Sequence, residues 1–248
     1  MSATLTAPTR ETLMREPRPS LATLTKVELR KAYDTRAGFW LLAVIAAITL
    51  LILVQIMQVP TGFLLPVVGI LLVTSEWSQR SALTTFTLTP NRWRIVAAKA
   101  LALVLLTVAA IAITYVGAAI GTALTSPPEA WDGAFSNVHN VLAAQLAGSF
   151  VGFGFALLFL NSPLAIVLYF VLPTVWMILV NTVPGLDGVA EWLDLNATSS
   201  NLLPATDDAG GTSSVSGEEW AQFGTSLLMW LVLPLSAGLW RLSRAEVK

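Results

Sequence analysis

The chain has 248 residues, of which 55% are apolar and 12% charged, whereas soluble domains carry about 25% charged residues, so water is not its main solvent. Cysteine is absent and His139 is the single histidine, which excludes disulfides, thiolate metal sites, a cysteine nucleophile and multi-histidine metal centres. The formal net charge of -1 carries no partner information as a total; where each sign falls along the chain does.

Residues 1–20, rich in Thr, Pro and Arg, read as a flexible cytoplasmic lead. About 36 mostly polar residues, among them Glu11, Glu16, Glu28 and Asp34, precede the first apolar run, which speaks for a retained span and against a cleaved secretory signal. Residues 21–36, LATLTKVELRKAYDTR, predict a helix capped by Ser20 with apolar and basic residues interleaved. Such a juxtamembrane helix sets its cations against anionic lipid or docks a cytoplasmic partner.

A bilayer core about 30 Å thick takes roughly 20 apolar helical residues to cross, because lipid leaves exposed backbone groups unsatisfied. Six stretches qualify: 37–57, 61–77, 98–124, 138–160, 163–183 and 221–240. The second is short and carries Pro66 near its start, which suggests little tilt or a re-entrant beginning. All 14 Lys and Arg fall into three groups. One precedes the first span (Arg10, Arg15, Arg18, Lys26, Arg30, Lys31, Arg36), one separates the second and third (Arg80, Arg92, Arg94, Lys99), and one follows the last (Arg241, Arg244, Lys248). The segments after the third and fifth spans hold Glu129, Asp132, Asp187, Glu191, Asp194, Asp207, Asp208, Glu218 and Glu219 and no basic residue. Basic residues resist translocation, so the expected protein is an all-α integral membrane protein with six transmembrane helices and both termini cytoplasmic. Tryptophans mark both boundaries, Trp40, Trp77, Trp93 and Trp240 at the inner one and Trp131, Trp192 and Trp220 at the outer.

Between the second and third spans lies EWSQRSALTTFTLTPNRWRIVAAK, residues 76–99, too polar to insert. Residues 79–88 predict a short helix that Pro90 stops, and Asn91 can cap the helix running into the third span. On the outer side, Leu186, Val189, Ala190 and Leu193 recur at helical spacing and predict a short amphipathic helix over 185–195. A polar loop over 196–215 follows, and Ser216 with Glu219 forms a capping box before the sixth span.

Several chemistries are excluded. No Asp, Glu, Lys or Arg sits centrally in a span, where proton- and sodium-coupled carriers place their relays. No GxxxxGK[ST] loop is present to cradle phosphates, so ATP hydrolysis is not expected of this chain itself. Ser149 and His139, ten residues apart on one span, are separated by about 15 Å of helical rise and form no dyad. The basic residues interleave with apolar ones and build no nucleic-acid surface. Gly117 with Gly121 and Gly148 with Gly152 permit close helix packing, and Pro173 and Pro234 are candidate kinks.

Taken together these features resemble the permease subunits of ABC exporters of the type-2 class, over most of the chain. The loop after the second span is similar at Glu76, Arg80, Thr84, Thr85, Leu88, Pro90, Arg92 and Lys99, with Ser81 where that family commonly has glycine; VELRK at 27–31 and RLSRAEVK at 241–248 are similar too. The resemblance implies a connecting-helix region (1–36), a six-span permease domain (37–241) with a cytoplasmic coupling segment (78–97) and an extracellular loop (185–220), and a cytoplasmic tail (242–248). It also implies that Glu76, Gln79, Arg80, Thr84, Thr85, Leu88, Pro90 and Arg92 contact a separate ATPase subunit that carries ATP and magnesium, this chain holding no cofactor. Two permeases, identical or related, would face each other in the plasma membrane and export a small amphipathic or lipophilic substrate, as in multidrug efflux. Phe63, Tyr169, Phe170, Trp176, Met177 and Asn181 would line the path. The alternative is a non-transporting membrane scaffold or sensor that docks a cytoplasmic regulator.

Overall fold

The computed structural model describes residues 20–34, 39–40, 43, 59–78, 91–125, 137–203 and 215–244, and these form helices and short connections with no strand. The expected first span, apart from residues 39, 40 and 43, lies outside the described residues, as does the 79–90 segment.

Helix α1, Leu21–Asp34, begins where expected: the Ser20 hydroxyl accepts from the Thr23 N–H at 3.1 Å. α2, Val59–Ser78, runs unbroken through Pro66; its 20 residues give about 30 Å of rise. α3, Arg92–Thr125, has 34 residues and therefore spans about 51 Å, so it projects well beyond a hydrocarbon core. α4, Val138–Phe159, and α5, Ser162–Thr182, are joined by a tight reversal in which Leu160 takes a left-handed conformation and the Asn161 side chain caps α5 by accepting from the Leu164 N–H. Two short helices follow, α6 (Asp187–Leu193) and α7 (Leu195–Leu202). The last crossing is α8 (Gly217–Leu227), a π turn (Leu228–Val232) and α9 (Leu233–Arg244). The π turn precedes Pro234: the Leu233 N–H reaches back to the Leu228 carbonyl, widening the helix where the proline has no N–H to give.

Four of these helices, Arg92–Ile120 within α3, α4, α5 and the α8–α9 unit, are long and apolar enough to cross a membrane, and α2 carries a shorter apolar run, Gly62–Trp77. The chain is a membrane-embedded, all-helical protein over the described residues. α4 is the hub, with 61% of its apolar stretch buried, against 17% for α5. Lipid offers apolar side chains as good a home as a protein core does, so helix association here relies on close packing. Gly69 of α2 and Gly152 of α4 supply it: a Cβ on Gly69 would stand 2.6 Å from the Ser149 carbonyl oxygen and one on Gly152 2.5 Å from that of Pro66. The core around this contact is built from Val68, Leu72, Leu103, Phe153 and Leu157. The Gly148/Gly152 spacing thus serves packing within the chain. Outward, α3 and α5 expose Leu105, Ile113, Val116, Val167, Val175 and Ile178, surfaces suited to acyl chains.

Candidate functional site

At the end of the bundle where α2 finishes and α3 begins, four charged side chains from three helices converge. Glu28 and Lys31 stand one turn apart on α1, Glu76 lies in the last turn of α2, and Lys99 is two turns into α3. The Lys99 ammonium donates to Glu28 Oε2 at 2.8 Å and to the Leu72 carbonyl at 2.8 Å, and lies 3.3 Å from Glu76 Oε1. Lys31 donates to Glu76 Oε1 at 2.7 Å and to Glu28 Oε1 at 3.0 Å. Glu28 and Glu76 are each 5% exposed and Lys99 4%. Two anions and two cations sum to zero, which is what makes the burial tolerable, since an unpaired ion here would cost several kcal/mol. Burial alone would depress the Lys31 pKa, but the hydrogen bond to Glu76 and the negative charges of Glu28 and Glu76 outweigh it and raise the pKa above its ordinary 10.5. Such a cluster offers no nucleophile; it is a brace that fixes α1 against the ends of α2 and α3.

Of the residues expected to contact an ATPase, Glu76 is a member of this brace. Arg92 opens α3 and donates to the Leu242 carbonyl of α9 at 2.5 Å. Gln79, Arg80, Thr84, Thr85, Leu88 and Pro90 lie outside the described residues. Asn91 caps α3 as anticipated, its side-chain oxygen 3.4 Å from the Arg94 N–H.

The expected path residues divide between two faces of α5. Phe63 of α2 stacks on Phe170 at 5.7 Å, and Met177 and Asn181 continue that open face, seven and eleven residues on. Trp176 turns the other way, and Tyr169 lies between the two, edge-on to Phe170 at 4.8 Å. Tyr169 packs edge-on against Phe155 at 6.3 Å, and Trp176 joins the cluster of Val151, Phe155, Leu195 and Trp230, its indole N–H buried without a partner. Ser149 is fully buried, donates to the Gln145 carbonyl at 2.7 Å and accepts from Thr107 at 3.2 Å; His139 is exposed. The two are apart, as the helical rise requires.

At the opposite end the expected loop over 196–215 proves partly helical, because α7 occupies its first residues. Asp194 starts that helix by accepting from the Asn196 and Ala197 N–H groups at 2.8 and 3.1 Å. Leu195, Thr198 and Leu202 are its buried face, and Thr198 shares a 2.9 Å hydrogen bond with Ser226 of α8. Trp230 donates to the Leu193 carbonyl at 2.8 Å, so α6 and α7 are pinned onto the last crossing. Asp194 followed by Leu195, Thr198 and Leu202 at i, i+3 and i+7 was the sequence signal for this helix, hidden by the run of Asn, Thr and Ser. Compared with known proteins, the chain matches no family model and no curated protein.

Proposed function

We propose that this chain is the permease subunit of an ATP-driven ABC exporter of the type-2 class, embedded in the plasma membrane with both termini cytoplasmic. It would work with separate ATPase subunits and a second permease, moving an amphipathic substrate outward by alternating access. The observation that carries the reading is the buried Glu28–Lys31–Glu76–Lys99 brace. Glu76 lies just before the 79–90 segment and Lys99 just after it, so the brace grips the stems of the element that would meet an ATPase. Force applied to that element would pass through Glu76 and Lys99 to α2 and α3, with α1 moving as part of the same body. Glu76 would then act from inside the permease, and the ATPase would be met by the residues that follow it. The confinement of basic residues to the three segments on one side supports the orientation, and the absence of ionisable side chains from the span centres supports an external energy source.

The test is affinity purification of the tagged chain from its native membrane. The proposal expects a stoichiometric ATPase whose association is lost on deleting residues 79–88 while the permease still folds. A well-folded chain that never carries an ATPase would favour the scaffold reading and overturn the exporter.

A further inference from the structure

Between the start of α3 and the end of α9 lies an open cavity of about 240 Å³ lined by Asn91, Arg92, Trp93, Leu239, Leu242 and Ser243. Its polar lining residues are Asn91, Arg92 and Ser243, and its apolar ones Trp93, Leu239 and Leu242. The hydrogen bond from Arg92 to the Leu242 carbonyl fixes the guanidinium at the cavity wall. Among the described residues no carboxylate lines the cavity, and Arg241 and Arg244 add two further cations on the same end of α9, neither ion-paired among those residues. Trp93 and Trp240 are 59% and 60% exposed on the adjoining surface, the pattern of indoles anchored in a headgroup layer. Arg244 lies over the Trp240 ring at 4.4 Å.

We infer that this cavity binds the phosphate group of an anionic ligand, either the headgroup of a membrane phospholipid or a free phosphate. Guanidinium matches phosphate oxygens in a planar, two-pronged way, and basic hollows between membrane helices at the bilayer boundary are where acidic headgroups lodge. The volume selects the size of the guest: it falls below the roughly 300–1,000 Å³ of sites that enclose a drug-sized molecule and suits a headgroup whose chains remain outside against the apolar wall. The inference needs only that the chain is membrane-embedded, and it stands for an exporter or a scaffold alike.

The detergent-solubilised full-length chain is titrated with phosphatidylglycerol, phosphatidylcholine or inorganic phosphate, with bound ligand read by native mass spectrometry and stability by thermal unfolding. Phosphatidylglycerol is expected to bind one-to-one and raise the unfolding temperature where phosphatidylcholine does not. Arg92→Gln should weaken this by at least about tenfold, through the loss of a two-pronged charge-assisted contact, with Arg92→Lys in between. Because Arg92 also ties α3 to α9, Ser243→Phe serves as the second variant: this exposed position tolerates the ring, which fills the cavity and should abolish binding without lowering stability. Arg30→Gln, on the exposed face of α1, is the control for general surface charge and should leave binding intact. Protection by inorganic phosphate equal to that by phosphatidylglycerol, and lost in the same variants, would assign the site to a soluble phosphate. Equal binding of the two lipids with no effect of phosphate, retention in Ser243→Phe, or equal loss in Arg30→Gln would overturn the inference.

Discussion

Replacing Lys99 by methionine keeps the length of the side chain and removes one charge from the brace. Glu28 and Glu76, each 5% exposed, are left with Lys31 alone, and the cluster moves from neutral to a net charge of -1. The direct Lys99–Glu28 contact at 2.8 Å has a gross attraction of about 6 kcal/mol at an effective dielectric constant of about 20. Desolvation offsets much of that in the intact brace, but removing one partner strands the other, and the net loss for such a break is about 3–5 kcal/mol. In a protein of this size 3 kcal/mol corresponds to a fall in unfolding temperature of roughly 6–12 °C. Lys31→Met should cost far less, about 1 kcal/mol, because that side chain is 39% exposed and water screens what it loses. Adding Glu28→Gln to Lys99→Met restores neutrality, leaving Lys31 with Glu76, and should recover most of the loss. Thermal unfolding of the four proteins in one detergent measures the set. A Lys99→Met shift no larger than that of Lys31→Met, or no recovery in the double variant, would refute the view that charge balance holds α1 to the bundle.

Alkaline pH tests the same brace through Lys31. Its folded pKa is raised above 10.5, so its stabilisation is complete below that value and disappears as the pH climbs through the raised one. The gap in unfolding temperature between the parent and Lys31→Met should stay constant from pH 7 to about 10 and close above that; a gap that closes on acidification instead contradicts the sign. Gly152→Ala should destabilise by about 2 kcal/mol, or roughly 4–8 °C, through overpacking, because its Cβ would meet the Pro66 carbonyl oxygen at 2.5 Å. Gly188→Ala, with open space around its Cβ, should show no such loss in the same assay. Ser216→Ala removes the acceptor for the Glu219 N–H and breaks the observed capping box; a loss of about 1 kcal/mol in chemical unfolding is expected.

Helices were legible in this sequence wherever one local rule decided them. The Ser20, Asn91 and Ser216 caps mark the starts of α1, α3 and α8 because each uses atoms within three residues. Apolar length predicted the four long apolar helices among the described residues because backbone satisfaction in lipid is itself a local demand. The brace was not legible: Glu28 and Lys99 are 71 residues apart, and on α1 alone Glu28 and Lys31 look like an ordinary exposed i, i+3 pair. Only the docking of α1 against α3 turns them inward. Which way each path residue on α5 faces was not legible for a related reason. In a span that is apolar all round, periodicity carries no information about which face meets protein and which meets lipid, so Tyr169 and Phe170, adjacent in sequence, could not be told apart. Glu76 was singled out through the family resemblance as a contact for a partner, and its burial beside Lys31 and Lys99 was not foreseen.

The two ends of the bundle are fastened by different physics, which bears on how the protein could move. The end near Glu76 and Lys99 is closed by full charges at 2.7–3.3 Å, whose strength depends on every member staying in register. The end near Asp194 and Trp230 is closed by neutral donors and acceptors, Thr198 to Ser226 and the Trp230 indole to Leu193, each contributing about 1 kcal/mol. Between them the approaches of Gly69 to Ser149 and of Gly152 to Pro66 leave no room for sliding. A rearrangement that breaks contacts one at a time therefore meets less resistance at the α6–α7 end, where each can be exchanged for water. The charged end must instead move as a block or lose several kcal/mol at once. Motion of α1, α2 and α3 as one body, with α6 and α7 loosening first, follows from that asymmetry. Cross-links test it in a chain without native cysteine: if the chain transports as proposed, a bifunctional thiol reagent joining cysteines at positions 28 and 99 should leave turnover intact, whereas a disulfide between positions 198 and 226 should arrest it, and the reverse pattern would place the moving end at the charges.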